Sequence, residues 1–532
     1  MIKLLFSFFF ITSFSFAQSS QWWVFLKDKD CDPVVALTQK SIERRAKQNI
    51  ALDIHDFRVC QSYIDILKSF ELKIRHQSRW LNAVSVSIES YNVLHELFQL
   101  DFVDHIQPMK EIRMNKYLPE SSIFHNNKNY NLRQSYGLPY GLSFNQVDML
   151  GGVDLHNAGF LGSGVTIAVF DAGFTSVDSL PIFDSLWMNS QIIDTYDFVD
   201  DDDDVFGGSS HGTMVLSTMG GYMEDSLIGV APESYYMLFR TEDSVSETLV
   251  EEDNWAIAAE YADSLGVDII NSSLGYTILY DDTLNSHSYF DMDGNSTIIT
   301  MAADLAASRG ILVVNSAGNS GNNDWYYIGA PADGDSVLAI GAVNDLGDIA
   351  SFSSRGPSYD GRIKPNVCAQ GVSTVVSDLD STIRVANGTS FSSPLIAGLA
   401  ACLWESRPDL NNMEILNLIQ QSAHLYDNPN DSLGYGIPNF YEAYLFSSQL
   451  NYEKNNVKIY PNPFFKEISI YDYNKTEMYI DIYNVSGLHL FSKKTYESCI
   501  VVNELEFYPP GLYFLRINNS PDIYKIIKIN EE

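Results

Sequence analysis

Positive charge is scarce in this chain. Its 532 residues carry 33 Lys and Arg against 68 Asp and Glu, a formal net charge of −35. So acidic a surface repels phosphate backbones and anionic lipid, which excludes nucleic acid and acidic membranes as partners. Cysteine is scarce too: Cys31, Cys60, Cys368, Cys402 and Cys499 are all there are, with no C-x-x-C spacing. A disulfide-rich scaffold and the common zinc patterns are therefore excluded. Cys31 and Cys60 flank one segment and can pair, while Cys402 lies in a small, apolar stretch that reads as core. Long apolar runs are missing after residue 17; no later stretch reaches ~18 residues, so no membrane-spanning helix is predicted.

What is present is folding material. A hydrophobic content of 45% with 19% charged residues fits globular chains and not disorder. The length exceeds what one core supports and predicts about three or four domains. Residues 1–17 read as a signal peptide. Lys3 gives the positive start, residues 4–16 the apolar stretch, and Ser15 and Ala17 the small-x-small pattern, with cleavage expected after Ala17.

The run 22–26 is strand-like and 37–47 carries helix formers. From Cys60 onward the pattern gives a helix at 62–70, strands at 72–76 and 82–88, a helix at 91–100 and a strand at 103–107. The order β-α-β-β-α-β is the split βαβ of ferredoxin-like domains, with an extra segment inserted at 28–60. Residues 113–135, rich in Asn, Ser and Lys, bury little and read as a linker. Between 136 and 449, apolar β-branched strands at 165–170, 267–271, 311–315 and 337–342 alternate with helices at 211–220, 251–265 and 297–309. Such alternation predicts an α/β domain, a mostly parallel sheet covered by helices on both faces. Functional groups of such sheets gather beyond the carboxyl ends of the strands.

Unusual polar residues fall at those ends. Asp171 closes the strand 165–170, and His211 opens a helix in Ser210-His211-Gly212-Thr213. Asn319 follows a strand in Asn315-Ser316-Ala317-Gly318-Asn319, and Ser390 opens a late helix after Gly388. Gly388 permits the sharp turn, and Pro394 is expected within the first helical turn, where a missing N–H costs little. An acid, an imidazole, an amide and a hydroxyl are what acyl transfer requires. The hydroxyl becomes a nucleophile when the imidazole takes its proton, the acid fixes the imidazole's tautomer, and preorganised donors hold the oxyanion. The order Asp, His, Ser differs from that of the chymotrypsin and α/β-hydrolase constellations, and no G-x-S-x-G surrounds Ser390.

These residues resemble the motifs of the subtilisin-like serine proteases, in that family's order. The matching stretches are 167–171, His211-Gly212-Thr213, Ser272-Ser273-Leu274-Gly275, Ala317-Gly318-Asn319, the loop 351–365 and 388–394. The resemblance implies a triad of Asp171, His211 and Ser390, an oxyanion amide at Asn319, and substrate pairing along Ser273, Leu274 and Gly275. It also implies protein or peptide substrates, no cofactor for catalysis, and a ferredoxin-like propeptide at 18–112 that serves as chaperone and inhibitor and is removed by self-cleavage in the linker. Ala172 stands where the family often has a hydroxyl beside the aspartate, Met214 replaces a frequent second histidine, and Asn366 and Cys368 alter the Lys364-Pro365 segment. Residues 78–83 and 145–147 are similar to the Bacteroidetes-type branch.

Two acidic clusters remain, 200–204 and Asp291-Met292-Asp293-Gly294-Asn295. Each reads as a solvated loop; the resemblance leaves structural calcium as the alternative, with Asp291 and Asp293 as its candidates. From 452 to the end, seven short strand patterns separated by Pro and Gly turns predict a small β-sandwich. Tyr460-Pro461-Asn462-Pro463, Val485-Ser486-Gly487, Pro510-Gly511-Leu512-Tyr513 and the ending 524–528 resemble the C-terminal sorting domain of type IX secretion cargo. The expectation is therefore a secreted, self-processing, monomeric serine endopeptidase, exported through the periplasm and outer membrane by the type IX secretion machinery. Its rivals are a catalytically silent adhesin on the same scaffold, which would have lost a triad member, and a non-protease serine hydrolase, which the motif order disfavours.

Overall fold

The computed structural model describes residues 20–31, 34–109, 137–243, 250–277, 287–454, 457–472, 477–485, 487–497, 499–517 and 523–529. The predicted signal peptide at 1–17 and linker at 113–135 lie outside these residues. The chain divides into two compact units, residues 1–444 and 445–532.

The first unit opens with four antiparallel strands in the order Leu72–Ser78, Ala83–Ile88, Ser20–Leu26, Val103–Met109. This is the predicted ferredoxin-like arrangement. Alternation along each strand divides its side chains between two faces. Val24, Val84 and Val86 meet Ile64 of the helix Gln61–Leu67 and Leu97 of the helix Asn92–Leu97. Trp23, Ala83 and Met109 face the other way, against Ile257 and Ile298 of two later helices. The inserted segment holds a helix, Gln39–Lys47, and its ends are joined by a disulfide between Cys31 and Cys60.

The rest of the unit is built on seven parallel strands in the order Val367–Gln370, Val337–Val343, Leu312–Ser316, Ile269–Ser272, Thr166–Asp171, Tyr235–Arg240, Ile192–Asp197. The central strands are buried along their whole length, which is why their sequences read as unbroken apolar runs. Helices Val250–Leu265 and Ile298–Ser308 lie side by side on one face. They pack Ala259, Ala262, Ala302 and Ala306 on Ala168, Phe170, Ile270 and Val313, and Trp80 of the N-terminal domain joins the same core. Helices His211–Gly220 and Thr389–Ser406 pack together on the other face.

The second unit carries two antiparallel sheets. One runs Val457–Tyr460, Ile468–Asp472, Cys499–Val502; the other runs His489–Thr495, Met478–Asn484, Gly511–Ile517, Ile523–Lys528. Alternate residues Ile468, Ile470, Ile480, Ile482, Val502, Leu515, Ile517 and Ile526 form its core, the packing expected of a sandwich. The strand Cys499–Val502 is followed by a short 3-10 turn, Glu504–Phe507. There the carbonyls of Leu505, Glu506 and Tyr508 accept from the buried Lys528 Nζ.

Candidate active site

Asp171 is the last residue of its strand, Ser273 directly follows another, and Asn319 lies three residues beyond a third. All three therefore reach the same carboxyl edge of the parallel sheet. Ser390 arrives from Thr389–Ser406, whose entry residue Gly388 has φ 150° and ψ 151°, a region essentially closed to side-chain-bearing residues. Ser390 is the second residue of that helix and is 8% exposed.

Pro394 is not in the first turn as expected, but at the sixth helical position. It has no N–H to give the carbonyl four residues back, and that carbonyl belongs to Ser390. Ser273 supplies the missing donor: its Oγ donates to the Ser390 carbonyl at 2.9 Å. In return, Ser390 Oγ donates to the Ser273 carbonyl at 3.3 Å. The proline thus opens the first turn of the serine helix, and the substrate-strand candidate closes it.

The Asp171 side chain is fully buried, and His211 Nδ1 lies 2.9 Å and 3.0 Å from its two oxygens. An acceptor on that side fixes Nδ1–H as the donor and leaves Nε2 as the basic nitrogen. Where a neighbouring hydroxyl is absent at Ala172, the Ala172 backbone N–H donates to Asp171 Oδ1 at 2.8 Å. The turn that opens the histidine helix is fixed by Ser209, whose Oγ accepts from the His211 N–H at 3.1 Å. Gly212 has no room for a side chain: a Cβ would lie 2.5 Å from the Gly173 carbonyl oxygen and 2.9 Å from Asp171 Cβ. The His211 ring centroid is 5.6 Å from that of Phe391, the residue after Ser390.

Asn319 is exposed. Its Oδ1 accepts from the Thr389 N–H at 2.9 Å and from Thr389 Oγ1 at 3.0 Å. With the oxygen engaged, the NH2 end is turned to Gly388, 3.6 Å from where a Cβ would stand there. Thr389 is thus a site residue that sequence reading left without a role, although it sits in the Gly-Thr-Ser triplet. In the substrate-strand candidate, the Leu274 carbonyl accepts from Asn315 Nδ2 at 3.0 Å, while Gly275 is exposed and unobstructed.

The profile of the subtilase family, peptidase S8, matches residues 162–436, a little over half of the chain. The chain belongs to the subtilase family. Its first part matches the Bacteroidota S8 propeptide domain over residues 21–123, and its last part matches a secretion-system C-terminal sorting domain over 458–529. The subtilisin of Bacillus pumilus is 31% identical over 290 residues, covering 54% of this chain and 91% of the relative. Subtilisin E of Bacillus subtilis is 28% identical over 363 residues, covering 68% and 80%, and subtilisin DY of Bacillus licheniformis is 31% identical over 304, covering 56% and 95%. This subtilase is a serine endopeptidase with a propeptide domain, and its sorting domain marks it for secretion across the outer membrane to the cell surface or beyond.

The calcium candidates of the subtilase are employed otherwise. Asp291 Oδ2 accepts from the Ser288 N–H and hydroxyl at 2.7 Å and 2.8 Å. Asp293 accepts from the N–H groups of Asn295 and Ser296, both at 2.8 Å. Each carboxylate caps its own turn, and among the described residues no group of three His, Cys, Asp or Glu side chains converges there. The acidic run 200–204 is folded by Arg240, which binds Asp197 and Asp200 at 2.6 Å each. Two further carboxylates serve turns of the same loop, Asp202 Oδ1 for the Asp204 N–H and Asp204 Oδ1 for the Phe206 N–H, and Asp201 Oδ1 accepts from the Tyr196 hydroxyl at 2.7 Å.

Proposed function

We propose that this subtilase hydrolyses peptide bonds through Asp171, His211 and Ser390, by way of an acyl-enzyme. Substrate pairs its backbone along Ser273, Leu274 and Gly275 and brings the scissile carbonyl over Ser390. A rotation of the Ser390 side chain turns Oγ from the Ser273 carbonyl toward His211. Oγ bonds to the carbonyl carbon while His211 Nε2 takes its proton, and Asp171 stabilises the imidazolium that results. The oxygen, now negative, is held by the Asn319 amide and the Ser390 N–H. Collapse breaks the C–N bond, and the proton passes from Nε2 to the leaving nitrogen. Water then gives a proton to His211, attacks the ester, and Ser390 recovers its hydrogen as the C–O bond breaks. No cofactor enters any step.

The observation that carries this reading is the double-sided engagement of His211 Nδ1 by the buried Asp171, 2.9 Å and 3.0 Å from its two oxygens. A carboxylate kept dry for one imidazole is costly unless used or paired. We further assign residues 18–112 as inhibitory propeptide, 113–135 as the segment cut by the enzyme itself, 136–449 as catalytic domain and 452–532 as the sorting domain, acting as a monomer. The test is expression of residues 18–532 beside Ser390→Ala, following mass and casein hydrolysis with time. The wild-type protein is expected to shed about 10.5–13 kDa, taking ~110 Da for each residue from 18 to a cut within 113–135, and to gain activity. If Ser390→Ala is processed and active to the same degree, the assignment fails.

A further inference from the structure

The inserted segment at 28–60 has a contact of its own. Its helix Gln39–Lys47 is capped by Thr38, ends in basic residues that suit a helix C-terminus, and stops at Asn49 with φ 59°. The disulfide from Cys31 to Cys60 ties both ends of the segment to the ferredoxin-like domain. From this helix Arg44 and Arg45 reach Asp263, which sits in the last turn of Val250–Leu265 and is fully buried. Arg79, from the turn between two sheet strands, reaches the same carboxylate at 2.6 Å. Arg45 also binds Asp56 at 2.6 Å, and the Arg79 N–H donates to Glu260 at 2.8 Å. Three guanidiniums and three carboxylates thus meet in one buried set divided between the two domains. Burial alone would raise the Asp263 carboxyl, but the three arginines outweigh it and hold it below its ordinary value.

Around this set the segment grips the edge of the catalytic sheet opposite the site. Lys40 Nζ donates to Thr166 Oγ1 at 2.5 Å, the Thr38 N–H to the Ser264 carbonyl at 2.8 Å, and Arg44 to the Val267 carbonyl. Gln48 Nε2 donates to the Gly310 carbonyl at 2.8 Å. Thr166 begins the strand that Asp171 ends, so these contacts lie a full strand length from the triad candidates.

We propose that the segment 28–60 is a second anchor, which holds the propeptide on the amino edge of the catalytic sheet after the chain has been cut between the two domains. A product bound only at the cleft competes with substrate; an anchor on the opposite edge does not, and two linked contacts reinforce each other far beyond either alone. The proposal rests on the propeptide reading and deepens it: the interval between cutting and activation is set by the basal contacts, not by the cleft.

The test uses the full chain with Ser390→Ala, so that no self-cleavage intervenes, and with a recognition sequence for an unrelated protease placed within 113–135. After cutting, dissociation of the N-terminal fragment is timed by size-exclusion chromatography. Removing one partner of a buried, hydrogen-bonded charge pair acts on the off-rate, so Asp263→Asn is expected to speed release by at least about thirtyfold. Gln48→Ala, which removes a neutral contact and threatens no fold, is expected to speed it about three- to tenfold. Release within about twofold of the parent in Gln48→Ala, and in Asp263→Asn wherever that variant folds, overturns the proposal. Casein hydrolysis by the Ser390-containing protein tells the two readings apart: a fragment that stays bound by these contacts without inhibiting refutes inhibition and leaves the anchor standing.

Discussion

The bond between Ser273 and the serine helix makes a sharp prediction, because two residues distant in sequence share one carbonyl. In the folded protein the Ser390 carbonyl has no helical N–H, since the residue four places on is Pro394, and Ser273 Oγ replaces it at 2.9 Å. Ser273 is 5% exposed, so Ser273→Ala leaves a buried acceptor unserved. The cost of such an orphan is about 1–3 kcal/mol, or about 2–4 °C in Tm for each kcal/mol in a domain of this size. The Asn271 amide, which donates to the same Oγ at 3.4 Å, adds little at that length. Pro394→Ala restores the N–H, and in that background the carbonyl no longer needs Ser273. The cost of Ser273→Ala should then fall below about 0.5 kcal/mol, giving a coupling of about 1–2 kcal/mol in a double-mutant cycle. The assay is thermal or urea unfolding in the Ser390→Ala background, where autolysis cannot distort the baseline. Strict additivity of the two substitutions, within about 0.3 kcal/mol, would refute the reasoning.

Two further perturbations follow from the same geometry. Gly212→Ala forces a methyl group to within 2.5 Å of the Gly173 carbonyl oxygen; the histidine helix must shift, and since about 1 Å of misplacement can cost a hundredfold in rate, casein hydrolysis should fall by about that factor while far-UV circular dichroism stays unchanged. Lys364 is buried with three acceptors, the carbonyls of Gly334 and Val337 and Asn366 Oδ1, and burial pushes its amine down to about 7. Between about pH 7 and 10 the unfolded chain keeps a proton there that the folded chain has released, so this group makes stability rise with pH. Unfolding from pH 7 to 9 should therefore show a steeper rise in the parent than in Lys364→Met, and equal slopes would contradict the assignment.

Much of this was legible in the sequence because the signals are local. The triad candidates, Asn319 and the substrate-strand candidate sit at element ends marked by glycine turns and by switches of periodicity, and the histidine helix begins and ends at the residues expected, His211–Gly220. Both flanking domains were legible for the same reason, since strand alternation and turn residues act over a few positions. What remained hidden depends on contacts between distant segments. Pro394 was misplaced by a turn because no local pattern shows which residue of Thr389–Ser406 is first, nor that Ser273 would serve the freed carbonyl. The insertion at 28–60 carries no local sign of a partner; its arginines find Asp263 only after the sheet has docked, about 220 residues along the chain. Trp80 reads as part of a turn, yet it is 3% exposed within the core of the catalytic domain. In the sequence Asn366 only alters the Lys364-Pro365 segment; that its amide oxygen accepts from a buried lysine at 3.2 Å needs the fold.

The most direct measurement is covalent labelling of the processed protein with a fluorophosphonate, followed by peptide mapping. Such a reagent phosphonylates a serine only when a neighbouring base has made it nucleophilic. A single phosphonyl group on Ser390, absent in His211→Ala, is the predicted result. A label on another serine, or undiminished labelling of Ser390 in His211→Ala, would contradict the mechanism.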